Sequence, residues 1–562
     1  MKKFAAFLFL QCLLNANISA QNFDWAKSWD ARTIEGSHSI SIDNVGNVVT
    51  IGGFYGTVDF DPGIDTFNLT APTAGIGFFI SKFNSQGVFI WAKSIDSLPW
   101  YGSFQVLCTN DNSIIVAGHF TTTVDFDPDT SAHFIQACAD DYFVAKYDSN
   151  GKFIWVKSFC GSYSAISVGL QTDDNKNVFV AGNFIGKVDF NPGPGKANVI
   201  SKGINDIFIV KLDSNGKFIW VKTFGGKKND QINSMKIDRF GNIYTIGSFE
   251  DKVDFDPAIG IFIDSVMGGS DTFISKLDSG GNFIWAKSFK GIYDEWGFDL
   301  DVDSAGNVYS IGVFFDSVDF NPDTTNFSMK SAGFMDVFIS KLDSSGNFVW
   351  AKSIGGGSND WGLRIALDAS EEIFISGHFY GTSDLNPGVG VYNAVSPINN
   401  LDIFIVKLEG SGDFIKAYTF GDLGSDVISG IAIDKKNVYA VGTFWGVVDF
   451  DPGAGVSLLT GSNTKGTIFL LKLSQTSTGI FQINQSQNFS IYPNPSNGNF
   501  TINVKNKNAT NFEIYNVMGE KIFSTKLINP KTEIELKAKP GMYFYQIKND
   551  NGIIENSKIV IQ

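Results

Sequence analysis

The chain has 562 residues, more than one hydrophobic core can serve, so it is either several domains or a repeat. Hydrophobic residues at 43% and charged residues at 18% exclude a disordered chain, and 53 Phe with 59 Gly suit short strands joined by tight turns. The net charge of −15 excludes nucleic acid as a partner, because binding phosphates takes clusters of Lys and Arg.

Residues 1–20 read as a signal peptide. Lys2 and Lys3 are followed by an apolar run from Phe4 to Leu14, and Ile18-Ser19-Ala20 forms a cleavage site before Gln21. The run is too short to anchor the chain across a bilayer, and Gln11 before Cys12 does not fit a lipoprotein signal. Cleavage would take the net charge to −17. No later segment has transmembrane length, so the mature chain is expected to be secreted or attached at the cell surface.

From Phe23 to Leu473 one unit of about 65 residues recurs seven times. The string VDFDPG, with variations, places its first Asp at Asp59, Asp125, Asp189, Asp254, Asp319, Asp384 and Asp449. A Gly-x-Phe precedes each copy, and the Pro is kept in all seven. FxWAKS places a Trp at 25, 91, 155, 220, 285 and 350, with Lys416 in the last position. FISKLDSNG places a Lys at 82, 146, 211, 276, 341, 407 and 472. Each unit reads as four strands, exemplified by Asn233–Ile237 (a), Asn242–Phe249 (b), Thr272–Leu277 (c) and Asn282–Phe289 (d). Gly in the c–d turns supplies the positive φ that hairpins need.

Four antiparallel strands repeated seven times predict an all-β, seven-bladed β-propeller over residues 21–474. The first element after the signal peptide is a lone strand d (Phe23–Trp29), and the last repeat element is a lone strand c (Thr467–Leu473). The N-terminal strand is therefore expected to complete the last blade, with Trp25 beside Lys472, which removes two exposed edges. The unit resembles a bacterial β-propeller repeat family through Gly306–Tyr309, Phe338–Gly346 and Trp350–Lys352. That resemblance implies a fold and an extracellular setting, but no single activity.

Residues 475–488, rich in Ser, Thr, Gln and Asn, read as a linker. Residues 489–562 carry short alternating strands that predict a small, Ig-like β-sandwich. Tyr492-Pro493-Asn494-Pro495, the stretch from Ile514 to Lys521, the strand from Pro540 to Ile547 and a final strand with Lys558 resemble the C-terminal sorting domain of the type IX secretion system. This implies that the segment engages the export machinery and directs the chain outward.

Four groups are candidates for chemistry. In the VDFDPG loops, Asp59 with Asp61, Asp125 with Asp127, Asp254 with Asp256 and Asp449 with Asp451 offer alternate oxygens that could hold Ca2+. The plainer reading of each is an Asx turn running into Pro. Asp230, Glu295, Asp360 and Asp426 recur in the d–a connection, and Trp296 and Trp361 follow two of them. An acid beside an exposed aromatic could hold a sugar, whereas the plainer reading packs these Trp between blades. Cys138 and Cys160 fall opposite each other around the third c–d hairpin and could form a disulfide, while Cys108 reads as a small buried hydrophobe. The same register sets Phe143 opposite Trp155. The seven strand-c lysines read as solvent-facing or paired with acids of their own blade.

No G-x-S-x-G, HExxH or P-loop is present, and His119 and His378 share a repeat position filled elsewhere by Gly, Asn, Ser, Val and Thr. The expected function is a surface-displayed scaffold that binds protein or glycan. The alternative is a carbohydrate-active enzyme, a lyase or glycoside hydrolase, on the same propeller.

Overall fold

A computed structural model describes residues 21–475 and 489–561, with short gaps inside both parts. The signal peptide, the linker beyond Gln475, Pro493–Pro495 and Val517–Gly519 lie outside the described residues. The described elements are all strands, in antiparallel pairs. Gln21–Gln475 forms one compact unit, and Thr476–Gln562 belongs to a second.

Within Gln21–Gln475 the strands group by repeat. In the fifth repeat Trp296–Val302 (a), Val308–Asp319 (b), Ser328–Leu342 (c) and Phe348–Gly356 (d) pair in that order. Strands b and c run further than the sequence suggests, because the VDFDPG loop is itself the tip of a hairpin. In the first repeat that hairpin stands apart as Thr57–Asp59 with Asn68–Thr70. The seventh sheet takes its fourth strand from the other end of the chain. Gln21–Thr33 pairs with Gly466–Gln475, and Trp25 stands opposite Lys472.

Strand a of each repeat lies beside strand a of the next, and Val427–Asp434 lies beside Ser39–Ile42. The cores sit between consecutive sheets rather than within them. One cluster joins Val49 and Phe78 to Val116 and Phe143, and another joins Trp29, Tyr439 and Leu470 of the seventh sheet to Phe54 and Phe79 of the first. The motifs are the parts of this packing. The Phe of Gly-x-Phe meets the Phe of VDF edge-on at about 5.3 Å, as in Phe54–Phe60 and Phe314–Phe320. The strand-c Phe closes a triad, as Phe79 does with Phe60 at 4.8 Å.

The Trp and Lys rows join neighbouring sheets. Gly87, Gly151 and Gly216 have φ near +75°, and a Cβ on any of them would run into Trp25, Trp91, or Lys157 and Trp155 of the preceding sheet. Five of the seven strand-c lysines are buried, and Lys211 and Lys341 are half-buried. Lys82, Lys211, Lys407 and Lys472 pair with acids of their own sheet, so the paired reading holds and the solvent-facing one does not. Lys82 pairs with Asp43 at 2.9 Å and reaches Ser149 O of the next sheet at 3.1 Å. Lys472 does the same with Asp24 (2.8 Å) and Ser85 O (2.9 Å), tying the last sheet to the first.

One cross-strand expectation fails. Trp155 stands opposite Lys146, and Phe143 stands opposite Ser158, because a bulge between Lys146 and Tyr147 shifts the register beyond the turn.

In the C-terminal unit, Phe489–Tyr492, Asn499–Val504 and Lys531–Glu535 form one sheet. Lys521–Lys526, Asn511–Tyr515, Gly541–Asn549 and Gly552–Ile561 form the other. Phe500, Ile502, Phe512, Ile514, Ile547 and Ile559 share one core between them.

Candidate ligand site

The acids singled out in the d–a connections are interior groups. Asp230, Glu295 and Asp426 are fully buried and Asp360 is 1% exposed. Gly226 N–H donates to Asp230 Oδ2 at 2.6 Å, Gly356 N–H to Asp360 Oδ2 at 2.8 Å, and Trp445 N–H to Asp426 Oδ1 at 3.0 Å. Trp296 donates to Ser270 Oγ at 3.1 Å and meets Phe315 edge-on. Trp361 lies against His378 and Tyr380. None of these six residues lines the cavity described below. The structure does not bring them together as a cradle for a ligand, because each acid is turned inward under its own connection.

The VDFDPG acids clamp their own loops. Asp59 Oδ1 accepts from Asp61 N (3.1 Å) and Phe67 N (2.8 Å), and Asp61 Oδ1 accepts from Gly63 N (2.8 Å). In the second repeat Asp125 Oδ1 accepts from Asp127 N (3.1 Å) and His133 N (2.7 Å). Asp127 accepts from Asp129 N (3.0 Å) and from Ser131 Oγ (2.6 Å). In the fourth repeat Asp254 Oδ1 accepts from Asp256 N (3.2 Å) and Phe262 N (2.9 Å), and Asp256 Oδ1 accepts from Ala258 N (2.9 Å). In the seventh, Asp449 Oδ1 accepts from Asp451 N (3.0 Å) and Ser457 N (2.8 Å), and Asp451 Oδ1 accepts from Gly453 N (2.8 Å). Backbone N–H groups of each loop thus satisfy at least one oxygen of each carboxylate. Among the described residues no third acid, His or Cys converges with either member of these pairs. This geometry is that of the Asx turn. Asp61, Asp127, Asp256 and Asp451 each spend an oxygen on the backbone two residues on, and Asp59, Asp125, Asp254 and Asp449 reach eight residues on.

Cys138 and Cys160 are joined in a disulfide with Cα atoms 5.6 Å apart. Asp141 sits beside them and accepts from Cys138 N and Gly161 N. Burial pushes the Cys108 thiol up to about 12, so it is no nucleophile near neutral pH. Burial likewise holds His119 and His378 down at about 4, as neutral rings packed on Phe104 and Trp361.

The open site is a cavity of about 550 Å3 lined by strand a of all seven repeats. Two alternate positions of that strand face it. The first holds Ser39, Gln105, Gly169, Ser234, Asp299, Arg364 and Gly430. The second holds Ser41, Leu107, Gln171, Lys236, Asp301, Ala366 and Ala432. Between them lies a position occupied only by apolar residues: Ile40, Val106, Leu170, Met235, Leu300, Ile365 and Ile431. The first two columns thus change in charge and size from copy to copy, while the one between them stays apolar.

One arc of the lining is charged. Ser234 Oγ donates to Asp299 Oδ1 at 2.6 Å, and Asp299 Oδ2 accepts from Ile365 N at 3.1 Å. Asp301 Oδ2 accepts from Leu367 N at 2.9 Å, and its Oδ1 lies 3.6 Å from Lys236 Nζ. Asp301 holds the Lys236 amine above its ordinary value against the cost of burial. Arg364 gives one N–H to Leu363 O at 2.9 Å and pairs with no carboxylate among the described residues. The facing arc is neutral, with Ser39 Oγ donating to Gln105 Oε1 at 3.1 Å and Gln171 turned to the same space. Phe298, half-buried, adds an aromatic surface. Such a lining offers hydrogen-bond donors and acceptors and the Arg364 guanidinium to the cavity. The motif search passes over these residues because they belong to no motif. The signal for them is the loss of repeat identity at two columns beside one that is apolar in every copy.

Residues 490–562 match the family described as "Secretion system C-terminal sorting domain". The chain is therefore exported and ends secreted or at the cell surface, and its C-terminal segment engages the type IX secretion machinery. Among the described residues no helix is long and apolar enough to cross a membrane. The chain is 23% identical over 504 residues to an uncharacterized WD repeat-containing protein, L264, of Acanthamoeba polyphaga mimivirus, covering 75% of this chain and 36% of that protein. It is 24% identical over 172 residues to regulatory protein FlaEY of Caulobacter vibrioides, covering 31% and 17%. The chain thus spans about a third of the first relative's length and under a fifth of the second's. Similar solved structures include a protein of unknown function from Dyadobacter fermentans, at 11% identity, 80% and 98% coverage and a TM-score of 0.32. Another is PorZ, a surface component of the type IX secretion system of Porphyromonas gingivalis, at 11% identity, 95% and 100% coverage and a TM-score of 0.15.

Proposed function

We propose that Gln21–Gln475 is a seven-bladed β-propeller, exported with the help of an Ig-like C-terminal sorting sandwich, that binds an extracellular glycan in its central cavity. Support for the propeller comes from the adjacency of successive a strands, the return of Val427–Asp434 to Ser39–Ile42, and a core between each pair of consecutive sheets. Residues 1–20 act as the signal peptide and the stretch after Gln475 as the linker. The observation that carries the binding reading is the heterogeneous lining within an otherwise uniform repeat. A repeat kept only as a scaffold has no reason to diverge at the positions that face one shared space. The cavity volume suits one or two sugar rings better than a folded protein surface, and its amides, hydroxyls, guanidinium and Phe298 are sugar-binding groups.

The test is titration calorimetry of the mature protein against a panel of soluble oligosaccharides, repeated with Arg364→Ala and Gln171→Ala. At least one saccharide should bind, and each variant should weaken it tenfold or more. A panel with no binder, or variants that bind as well as wild type, would overturn the reading. The alternative, a lyase or glycoside hydrolase, is distinguished by new reducing ends or unsaturated products in the same mixtures.

A further inference from the structure

Four pairs of buried carboxyl groups recur with one spacing: Asp206/Asp230, Asp271/Glu295, Asp336/Asp360 and Asp402/Asp426. The first acid lies in strand c of one sheet, and the second stands 24 residues on, at the head of strand a of the next. They are side by side. Asp230 N donates to Asn205 O, Glu295 N to Ser270 O and Asp426 N to Leu401 O, each the residue before the first acid. Met335 and Asn359 form the equivalent bridge ahead of Asp336 and Asp360. All eight side chains are at most 6% exposed.

The hydrogen bonding is lopsided. Backbone N–H groups hold one oxygen in Asp206 (from Lys202, 2.9 Å), Asp271 (from Met267, 3.1 Å), Asp336 (from Ala332, 2.6 Å) and Asp360 (from Gly356, 2.8 Å). The other oxygen of each of these, Asp402 Oδ1 and both oxygens of Glu295 are buried with no donor among the described residues. No neutralising side chain can enter from above. Gly225, Gly355 and Gly421 roof three pairs so closely that a Cβ would lie 2.5, 2.5 and 2.3 Å from the carboxyl carbons of Asp206, Asp336 and Asp402. Gly291 covers Glu295 in the same way.

The surrounding charges do not offset the pairs. Lys202 faces Asp206, but its Nζ points to Gly225 O, and Lys290 near Asp271 is paired with Asp264 at 2.7 Å. Glu250 faces Asp230, Asp294 faces Glu295, and Asp422 faces both Asp402 and Asp426. Ser383 is the neutral neighbour of Asp360.

We propose that each pair is a proton-binding site, in which one carboxyl keeps its proton and donates it to the open oxygen of the other. Two carboxylates so placed, without solvent or a cation, cannot both ionise. A single proton satisfies both the charge and the missing donor. Burial lifts Asp230 and Asp360 to about 7, and Asp402, with Asp426 beside it, to about 7. Burial and its neighbour Asp271 raise Glu295 as well. Unfolded Asp and Glu titrate near ~4. A raised folded value means that the folded chain binds more protons than the unfolded one. The stability it confers is therefore complete below ~4 and is lost as pH rises through about 7. The propeller unit carries four protonic latches between its third and seventh sheets, set to loosen on the alkaline side.

The test uses the mature full-length protein. Its unfolding midpoint is followed from pH 5 to pH 8.5, and the protons released on unfolding near pH 6 are counted by calorimetry in buffers of different ionisation heat. The expected results are a midpoint that falls with rising pH and a release of three to four protons. Asp360→Asn and Asp206→Asn place a permanent amide donor against the open oxygen. Each should release one proton fewer and exceed wild type in midpoint at pH 8. A wild-type midpoint that is flat or rising over this range, or no proton release, would overturn the proposal without reference to any variant. A Ca2+-induced rise in the wild-type midpoint at pH 8 that Asp360→Asn abolishes would also overturn it, by assigning the pairs to a cation.

Discussion

Replacement of Trp29 by Ala tests the join between the two ends of the unit Gln21–Gln475. Trp29 lies on the N-terminal strand that completes the seventh sheet, is 3% exposed, stacks on Phe83 at 5.3 Å and touches Phe60 and Phe79 at 6.4 Å. Burying roughly 200 Å2 of aromatic surface is worth about 5 kcal/mol, and truncating core aromatics costs about 3–5 kcal/mol. The indole N–H is buried without an acceptor among the described residues, so its removal recovers part of this and sets the expectation near ~3 kcal/mol. Unfolding entropy for the roughly 455 residues of Gln21–Gln475 is about 1 kcal/mol per degree, so the midpoint should fall by about 3 °C if the unit melts cooperatively. The assay is calorimetric melting beside Ile90→Ala, which trims a 45% exposed side chain on strand d of the first sheet and should cost under ~0.5 kcal/mol. If the two variants melt together within one degree, the N-terminal strand is not part of the core, and the argument for closure fails.

Other outcomes follow from the same packing. Gly216→Ala should destabilise by about 1–3 kcal/mol, read as a lowered melting midpoint, because its φ is +75° and a Cβ would lie 2.7 Å from Lys157 Cε. Cys138→Ser opens a crosslink between residues 22 apart and should cost about 3 kcal/mol in denaturant titration under non-reducing conditions. In the mature protein Cys108 should resist alkylation at pH 8 until the chain unfolds, since burial keeps its thiol protonated; rapid labelling of the folded protein would contradict this. Excess chelator should leave the melting midpoint unchanged, because backbone amides on one oxygen of each VDFDPG acid hold the loop without an ion; a fall of several degrees would support the Ca2+ reading.

The repeat length, the four strands per repeat and the lone strands at the two ends were legible in the sequence, because turn glycines and period-two alternation are local. The sorting domain was legible because its motifs lie in order along one segment. The strand-c lysines were legible in part, since pairing with acids of their own sheet was one of the two readings. Their partners include the next sheet's turn carbonyl, some 67 residues away, and nothing in a repeat consensus names a neighbour across a sheet interface. The register around Tyr147 was missed because a single bulge moves every cross-strand pair beyond it.

The acids divide in the same way. From the sequence, Asp230, Glu295, Asp360 and Asp426 are a spaced row of charges, and a row of charges suggests a ligand. Only the tertiary structure sets each beside an acid from the preceding sheet, beneath a close-packed backbone, and so turns the row inward. The cavity residues show the converse. Arg364, Lys236 and Gln171 look like lapses in a repeat until seven strands bring those lapses to one space. The sequence alone settles what each unit is made of, because strands and turns depend on residues a few positions apart. Which side chains meet between units depends on how the sheets stack, and burial there decides which groups are charged, which hold protons and which are open to a ligand.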